Sequence, residues 1–450
     1  MGRLFGTDGV RGVANTELTC ELSLEIGRAM AAVLTDDTHK KPKILIGTDT
    51  RASGQMIQSA LSAGLCSVGA DVMTLGVVPT PAVAFLVKKY GYDAAVMISA
   101  SHNPCEYNGI KIFKSDGYKL PDALEEQIEA IILDGAFRPA LKTGGGVGTV
   151  TECKNTVHDY IEHLKTTVGS TRFDGMHIAL DCANGSASVS AQTLFESLGA
   201  KCDMLSDKPD GVNINLDCGS THLEQISRYV REHRLDCGFA FDGDADRLLA
   251  VDENGNEVDG DKIIAICSKY MKEKGTLRSD TAVITVMTNM GFYKFCAENG
   301  IKVEKTTVGD RYVLERMLEK GFSIGGEQSG HVIFLDYATT GDGQLTALQL
   351  LKIMAETKKP LSSLADCMKV YPQTMINIRV SDMGKARFYD DEEIKIAVRE
   401  AEKELGEKGR VLVRVSGTEP LVRVMLEGED EKQIIRLAGE IAEVIRKRLI

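Results

Sequence analysis

The sequence predicts an α/β protein of four domains, three of which repeat one mixed α/β plan around a shared cleft. Three observations lead there. The chain has 450 residues, too many for one core when domains hold about 100–200 residues each. Three segments repeat one theme, an apolar strand, a helical stretch and a Gly-containing turn into a second strand. They run from ILIGTDT to SVGADVMTL, from IALDCANG to SLGAKCDML, and from AVITVMTNM to ENGIKVEKT. A helix between two strands implies a βαβ crossover, hence parallel or mixed sheets. After Lys358-Lys359-Pro360 the pattern changes to short strands and an amphipathic helix.

Composition sets the class. With 43% hydrophobic residues, 26% charged and 44 glycines, the chain has the apolar content of an ordinary globular protein. Its net charge of −12 repels nucleic acid and anionic membrane, so any phosphate site needs local basic residues. The first residues, MGRLFGTDGVRG, lack the apolar stretch of a signal peptide, and Gly6 stands where a myristoylation signal needs Ser or Thr. No uncharged apolar run reaches the roughly 18 residues of a membrane span. Eleven cysteines without a C-x-x-C pair read as small hydrophobes of a reducing compartment, and the expected location is the cytoplasm.

Each repeat runs on to a further strand that ends in a polar cluster: DAAVMISASHNP, DCGFAFDGDADR and GFSIGGEQSGH. Ligands gather beyond the carboxyl ends of strands in open α/β sheets, so three matching ends predict one cleft. The glycine run 144–146 closes the first unit and the loop Asp252-Glu253-Asn254-Gly255 the second. The expected domains are 1–152, 153–255, 256–367 and 368–450. The last contains strands MINIRV, VLVRV and LVRVML, then a helix whose core stripe is read as Ile434, Ile435, Ala438, Ile441, Ala442 and Ile445.

DGDADR places Asp242, Asp244 and Asp246 at alternate positions in a turn after an apolar strand. Three such carboxylates repel one another unless a cation lies between them, and all-oxygen ligands favour Mg²⁺ or Ca²⁺. An EF-hand loop competes through Glu253 at position 12, but Arg247 holds the position that loop gives to Gly. Read as a surface loop, the trio predicts that chelation stops activity with little loss of stability. A serine beside a divalent cation can carry a phosphoryl group, and spacing leaves Ser99 and Ser101 equal candidates. A helix cap or Asx turn accounts for the same residues. His102 and Lys111 are candidates to position or protonate, and Asn108-Gly109 is read as the turn that brings Lys111 near.

RVSGTEPLVR reads as an anion cradle, with Arg414 and Arg423 flanking Ser416, Gly417 and Thr418. Glu327 and Ser329 suit sugar hydroxyls or an amine, and His331 suits proton transfer. There is no G-x-x-x-x-G-K-[ST] loop and no G-x-G-x-x-G after a strand, so the usual nucleotide sites are missing and phosphate must come from substrate or protein.

GTDGVRG, ISASHNP, DGDADR, GEQSGH and RVSGTEP, in this order over essentially the whole chain, resemble the α-D-phosphohexomutases, most closely their bacterial phosphoglucosamine mutase branch. The resemblance implies three mixed α/β domains and a C-terminal TATA-binding-protein-like α+β domain. It implies that Ser101 is the phosphoserine and shares Mg²⁺ with Asp242, Asp244 and Asp246. Arg11 and Arg247 would support the phosphoserine region, and Lys111 and His331 would move protons. Glu327 and Ser329 would grip the sugar; Arg414, Ser416, Gly417, Thr418 and Arg423 would hold the distal phosphate. The implied reaction interconverts glucosamine 6-phosphate and glucosamine 1-phosphate through a hexosamine 1,6-bisphosphate, for UDP-N-acetylglucosamine and cell-wall amino sugars, with a homodimer as the assembly. Phosphomannomutase or phosphoglucomutase activity is the alternative, and Gln328 is the residue that favours the glucosamine branch. A metal-dependent sugar phosphatase and a non-catalytic sugar-phosphate sensor are the readings from other classes.

Overall fold

The computed structural model describes residues 3–6, 8–34, 41–416 and 420–450. It divides into two compact units, one of residues 1–287 and 300–367, the other of residues 288–299 and 368–450.

The larger unit holds three sheets. The first contains β1 (Val10–Val13), β2 (Lys43–Thr48), β3 (Asp71–Val77), β4 (Ala94–Ile98), β5 (Tyr107–Lys114) and β6 (Val150–Glu152), in the order β1-β5-β4-β2-β3-β6. The second contains β7 (His177–Asp181), β8 (Lys201–Leu205), β9 (Cys237–Phe241), β10 (Leu248–Asp252) and β11 (Glu257–Val258), in the order β11-β10-β9-β7-β8. The third contains β12 (Thr281–Thr285), β13 (Lys302–Thr306), β14 (Ile324–Gly326) and β15 (Val332–Phe334), in the order β13-β12-β14-β15.

One plan recurs. The quartets β3-β2-β4-β5, β8-β7-β9-β10 and β13-β12-β14-β15 each place three parallel strands beside a fourth that runs back antiparallel. The third strand of each quartet is buried along its whole length, AAVMI in β4, CGFAF in β9 and IGG in β14, as expected where helices cover both faces of a sheet. The reversal between third and fourth strands therefore falls at the carboxyl end each time, and it carries ISASHNP, DGDADR and GEQSGH.

The reversal after β4 is made by residues 99–106. Asn108-Gly109 is not the turn: both residues lie inside β5, with Asn108 opposite Gly12 and Gly109 opposite Arg11 of β1. The glycine is needed there for close approach, since a Cβ would meet the Ser99 carbonyl oxygen at 2.5 Å. In the second sheet, Asp252 to Gly255 form a hairpin turn that returns β11 onto β10, so the sheet continues to Val258 past the loop expected to close it. Among the described residues no helix is long and apolar enough to cross a membrane.

The smaller unit is an antiparallel sheet of β16 (Gln373–Arg379), β17 (Gly409–Val415) and β18 (Leu421–Gly428), ordered β16-β18-β17. Ile378, Val422, Val424 and Leu426 pack with Ile434, Ala438, Ile441 and Ile445 of the helix Glu431–Leu449. Ile435 falls off the expected stripe and is exposed, while Leu437 and Leu449 complete the buried face; residue 435 lies about 100° round the helix from residue 434. The helix Met290–Glu298, which lies in sequence between β12 and β13, belongs to this unit. The buried Glu427 carboxylate accepts from the Met290 N–H at 2.8 Å and pairs with Arg410, which also donates to the Thr288 carbonyl.

Asp342 caps the helix Gly343–Thr357 by accepting from the Leu345 N–H, and its other oxygen accepts from the Tyr160 hydroxyl at 2.8 Å. Burial pushes this carboxyl up to about 6, against those hydrogen bonds. A folded-state value above the unfolded one means that stability is lost as pH rises from about 4 through about 6. Asp342→Asn keeps a capping group but cannot ionise. Thermal melts should therefore show the variant gaining on the parent protein as pH rises through that window; a pH-independent difference would contradict the assignment.

Candidate active site

Ser101 sits on the turn after β4 in the left-handed region, with φ 54°. A non-glycine residue stays there only when its surroundings over-determine it, and four groups do so. The Arg51 guanidinium donates to the carbonyls of Ser101 (3.0 Å) and Asn103 (2.8 Å) and to that of Pro104. The Asn215 amide donates to the same Ser101 and Asn103 carbonyls at 2.9 and 3.0 Å. Asp49 holds Arg51 at 2.9 Å and accepts from the Ser99 hydroxyl at 2.6 Å, while Ser99 Oγ accepts the Ser101 N–H at 2.9 Å. The two serines are thereby distinguished: the Ser99 hydroxyl is engaged on both sides within the turn, and Ser101 Oγ donates to Asp242 Oδ2 at 2.6 Å.

The second turn brings the three aspartates together. Oxygens of Asp242, Asp244 and Asp246 lie within 4.8 Å of one another, and all three residues are buried, at most 3% exposed. They are not a surface loop. Their close approach to the Ser101 turn depends on Gly243, where a Cβ would meet the Ser101 carbonyl oxygen at 2.6 Å. Glu253 turns away to Ser362 and β10 begins at Leu248, so the EF-hand arrangement is absent. Asp244 Oδ2 accepts from Thr80 Oγ1 at 2.6 Å and from Lys111 Nζ at 2.8 Å. Asp244 Oδ1 and Asp246 Oδ1 are buried with no hydrogen-bond donor among the described residues. A buried carboxylate oxygen without a donor costs about 1–3 kcal/mol or more, and an all-oxygen trio with two such atoms fits Mg²⁺.

Burial first, then Asp246 and Asp244, push the Asp242 carboxyl well above the usual carboxylate range. Burial acts the same way on Asp244, but Lys111 and the Thr80 hydroxyl outweigh it and hold that group down. Burial opposes the Lys111 charge, and Asp244, Asp246 and Asp8 overcome it, so Lys111 is held as an ammonium. His102, 3.4 Å from Ser101 Oγ and 2.7 Å from Arg247 Nη1, is lowered to about 4 by burial and then by Arg247 and Arg11. It is a neutral imidazole near pH 7.

Lys111 comes from β5, opposite Met97 of β4. Its Nζ lies 3.0 Å from Asp8 Oδ2 and 3.3 Å from Asp246 Oδ2, and Arg11 pairs with the same Asp8 oxygen. In the third turn Glu327 accepts the Gly309 N–H at 3.0 Å, Ser329 is exposed, and His331 is buried. The Gln328 amide donates to Asp259 Oδ2 at 3.2 Å, and Asp259 caps the helix Gly260–Glu273. Gln328 therefore fastens the turn to that helix, a structural use for the residue read as a substrate discriminator. In the smaller unit, Arg414 and Arg423 stand directly opposite each other on β17 and β18. Burial and then the like charge of Arg423 depress Arg414, a doublet suited to an anion. Ser416 is buried beside them; Gly417 and Thr418 lie outside the described residues.

Family models match along the chain in order: phosphoglucomutase/phosphomannomutase alpha/beta/alpha domain I over residues 2–139, domain II over 158–255, domain III over 259–371 and the C-terminal domain over 375–444. The chain belongs to the phosphoglucomutase/phosphomannomutase family. It is 54% identical over 449 residues to the phosphoglucosamine mutase of Ruminiclostridium cellulolyticum and 55% identical over 448 residues to that of Clostridium acetobutylicum, each match covering 100% of both chains. A phosphoglucomutase/phosphomannomutase family protein from Burkholderia thailandensis shares the fold, with a TM-score of 0.83 at 24% identity over 99% of this chain and 98% of that one.

For a member of this family, sequence reasoning missed Asp8, Asp49, Arg51 and Asn215, which bind the site residues or their turn, and Lys119 and Asp310, which adjoin Asp8 and His331. Asp8 lay inside the quoted GTDGVRG motif, and Asp49 and Arg51 inside the first repeat, at a strand's carboxyl end. That position was the available signal.

Ser99→Ala should cost about 1–3 kcal/mol by leaving Asp49 and the Ser101 N–H unsatisfied, with Ser101→Ala costing less in the same thermal melts. Equal losses would contradict the division of labour between the two serines. In the dephosphorylated, metal-free protein, ¹⁵N NMR should show the His102 ring neutral down to about pH 5; a midpoint near 6.5 would contradict the burial and charge argument.

Proposed function

We propose that the chain interconverts glucosamine 6-phosphate and glucosamine 1-phosphate through a phosphoserine at Ser101 and an enzyme-bound 1,6-bisphosphate. The observation that carries this reading is the Ser101 hydroxyl directed at a buried aspartate trio, in a chain matched end to end by phosphoglucosamine mutases. In the first half-reaction the Oγ–P bond of phospho-Ser101 breaks as a bond forms from the sugar O1 to phosphorus. The O1 proton passes to a base, and the serine oxygen, which keeps the bonding pair, takes up a proton. The bisphosphate then turns over. In the second half-reaction the 6-phosphoryl group moves to Ser101 Oγ, the serine proton is lost, and O6 regains a proton.

Residue roles follow from charge and burial. Lys111 enters as an ammonium, able to stabilise phosphoryl oxygens or protonate a leaving oxygen. Arg11 and Arg247 add positive charge, and neutral His102 accepts a hydrogen bond from Arg247. His331 Nδ1, buried and without a partner among the described residues, is the nitrogen we assign to proton transfer. Glu327 and Ser329 hold the sugar. Arg414, Ser416 and Arg423, with Gly417 and Thr418, hold the phosphate that is not reacting. Asp242, Asp244, Asp246 and the Ser101 oxygen would hold Mg²⁺, which would supply positive charge to the transferring group. The serine, the trio and both arginines are all retained, which disfavours the sensor reading, and a phosphatase would leave the clamped serine unused. A cytoplasmic setting accords with eleven free cysteines.

Phosphorus NMR of the enzyme with Mg²⁺, a trace of hexose 1,6-bisphosphate and equal glucosamine, glucose and mannose 6-phosphates should show glucosamine 1-phosphate growing fastest. Faster growth of another 1-phosphate, or only inorganic phosphate, would overturn the assignment. Ser101→Ala should lower kcat by about 10⁴-fold or more while the fold is kept; retained turnover would remove Ser101 from the mechanism. Because the trio is buried, chelation should abolish turnover and also lower the melting temperature. The linkage is about 2.7 kcal/mol when the metal was present at about 100 times its Kd, and an unmoved melting curve would contradict metal binding at this trio.

A further inference from the structure

Asp8, Lys119 and Asp310 form a partly buried cluster between His331 and Lys111. Asp310 opens the helix Asp310–Lys320, and Lys119 follows the hairpin that ends β5. Lys119 Nζ lies 2.5 Å from Asp8 Oδ1 and 2.5 Å from Asp310 Oδ2. Asp310 Oδ2 lies 3.5 Å from His331 Nε2, and Asp8 Oδ2 lies 3.0 Å from Lys111 Nζ. An unbroken run of polar contacts thus leads from His331 through Asp310, Lys119 and Asp8 to Lys111, joining the third turn to a strand of the first sheet.

His331 is constrained on one side only. Its Nε2 meets the Asp310 carboxylate and the Gly341 N–H at 3.3 Å. A Cβ on Gly341 would come within 2.6 Å of the ring, so the imidazole is wedged against that backbone. Its Nδ1 is buried and has no partner among the described residues. Two partners compete at Nε2, since the Asp310 carboxylate favours a proton there and the Gly341 N–H favours a lone pair, so the carboxylate's charge weighs on the ring's tautomer and orientation.

We propose that Asp310 is a positioning residue for His331, and that Lys119 ties Asp310 to Asp8 and so sets His331 and Lys111 as one unit. This rests on the assignment of His331 to proton transfer. A competing role for Asp310 is direct binding of the ammonium group of an amino sugar, and the two roles separate in kinetics.

The test uses the full-length enzyme with Mg²⁺, bisphosphate activator and glucosamine 6-phosphate, comparing Asp310→Asn, His331→Gln, their double variant, Lys119→Met and Lys119→Arg. Asp310→Asn should lower kcat about 10- to 100-fold, as loss of an orienting partner does, with KM within about twofold of the parent. The double variant should match His331→Gln alone. Lys119→Met should fall in the same way, and Lys119→Arg should recover most of the loss. Independently of activity, ¹⁵N NMR should show one His331 tautomer in the parent and a mixture in Asp310→Asn. Unchanged kcat with unchanged His331 signals, or additive losses in the double variant, would overturn the proposal. So would a raised KM for glucosamine 6-phosphate with kcat retained, which would make Asp310 a sugar ligand. If His331→Gln keeps full turnover, the proton-transfer assignment fails, while the NMR signals still decide whether Asp310 orients the ring.

Discussion

The buried negative charge of Asp242, Asp244 and Asp246 is the constraint around which the larger unit is organised. Two like charges about 4 Å apart repel by about 4 kcal/mol at the effective dielectric of a protein, and here three carboxylates are almost fully out of water. Such a cluster persists only if positive charge and donors reach it from outside its own loop. Lys111 arrives from β5 and Thr80 from the start of a helix in the first repeat, and the turn's own end adds the Arg247 backbone N–H to Asp242. Two atoms, Asp244 Oδ1 and Asp246 Oδ1, still lack donors among the described residues. The same imbalance that calls for a cation also locates the chemistry, because Ser101 Oγ is the neutral donor that meets Asp242.

Topology explains why these groups meet. The three quartets share one strand order, so each presents the reversal between its third and fourth strands at the carboxyl end, where strand side chains give way to loop backbone. Backbone at close quarters then needs side chains to fix it. Arg51 and Asn215 perform that service for the Ser101 turn by gripping its carbonyls from the first and second repeats. Gln328 does the equivalent for the third turn through the helix cap at Asp259. Fixing a left-handed serine costs local strain, and the grip of fully buried groups is what makes that conformation tolerable.

Much of this was legible in the residues. Continuous apolar runs such as AAVMI announce buried parallel strands, and the polar clusters that interrupt them mark the strand ends. Lys111 and the aspartates are legible this way, whereas Ser99 and Ser101 stand equal until the family resemblance selects Ser101, and the role of Arg247 comes from that resemblance too. Tertiary placement set the limit. Asn108-Gly109 carries a hairpin signal, but pairing with Gly12 and Arg11 of β1 makes it strand interior. Asp244 and its neighbours look like an exposed acidic turn because nothing in six residues of sequence tells that Thr80 and Lys111 will cover them. Lys119 and Asp310 are 191 residues apart, and neither has a motif of its own. Ile435 sits at the margin of a helical stripe, where periodicity alone does not separate buried from exposed. The helix Met290–Glu298 reads as part of the third repeat until Glu427 is seen capping it.

The central claim is that Ser101, clamped in its left-handed turn against the aspartate trio, is the residue that carries the phosphoryl group. The direct measurement is to incubate the enzyme with Mg²⁺ and ³²P-labelled hexosamine 1,6-bisphosphate, quench it, and locate the label by peptide mapping before and after a chase with unlabelled glucosamine 6-phosphate. The account predicts label on Ser101 alone, discharged by the chase into sugar phosphate within a turnover. Label on Ser99, or label on Ser101 that the chase does not remove, would contradict it.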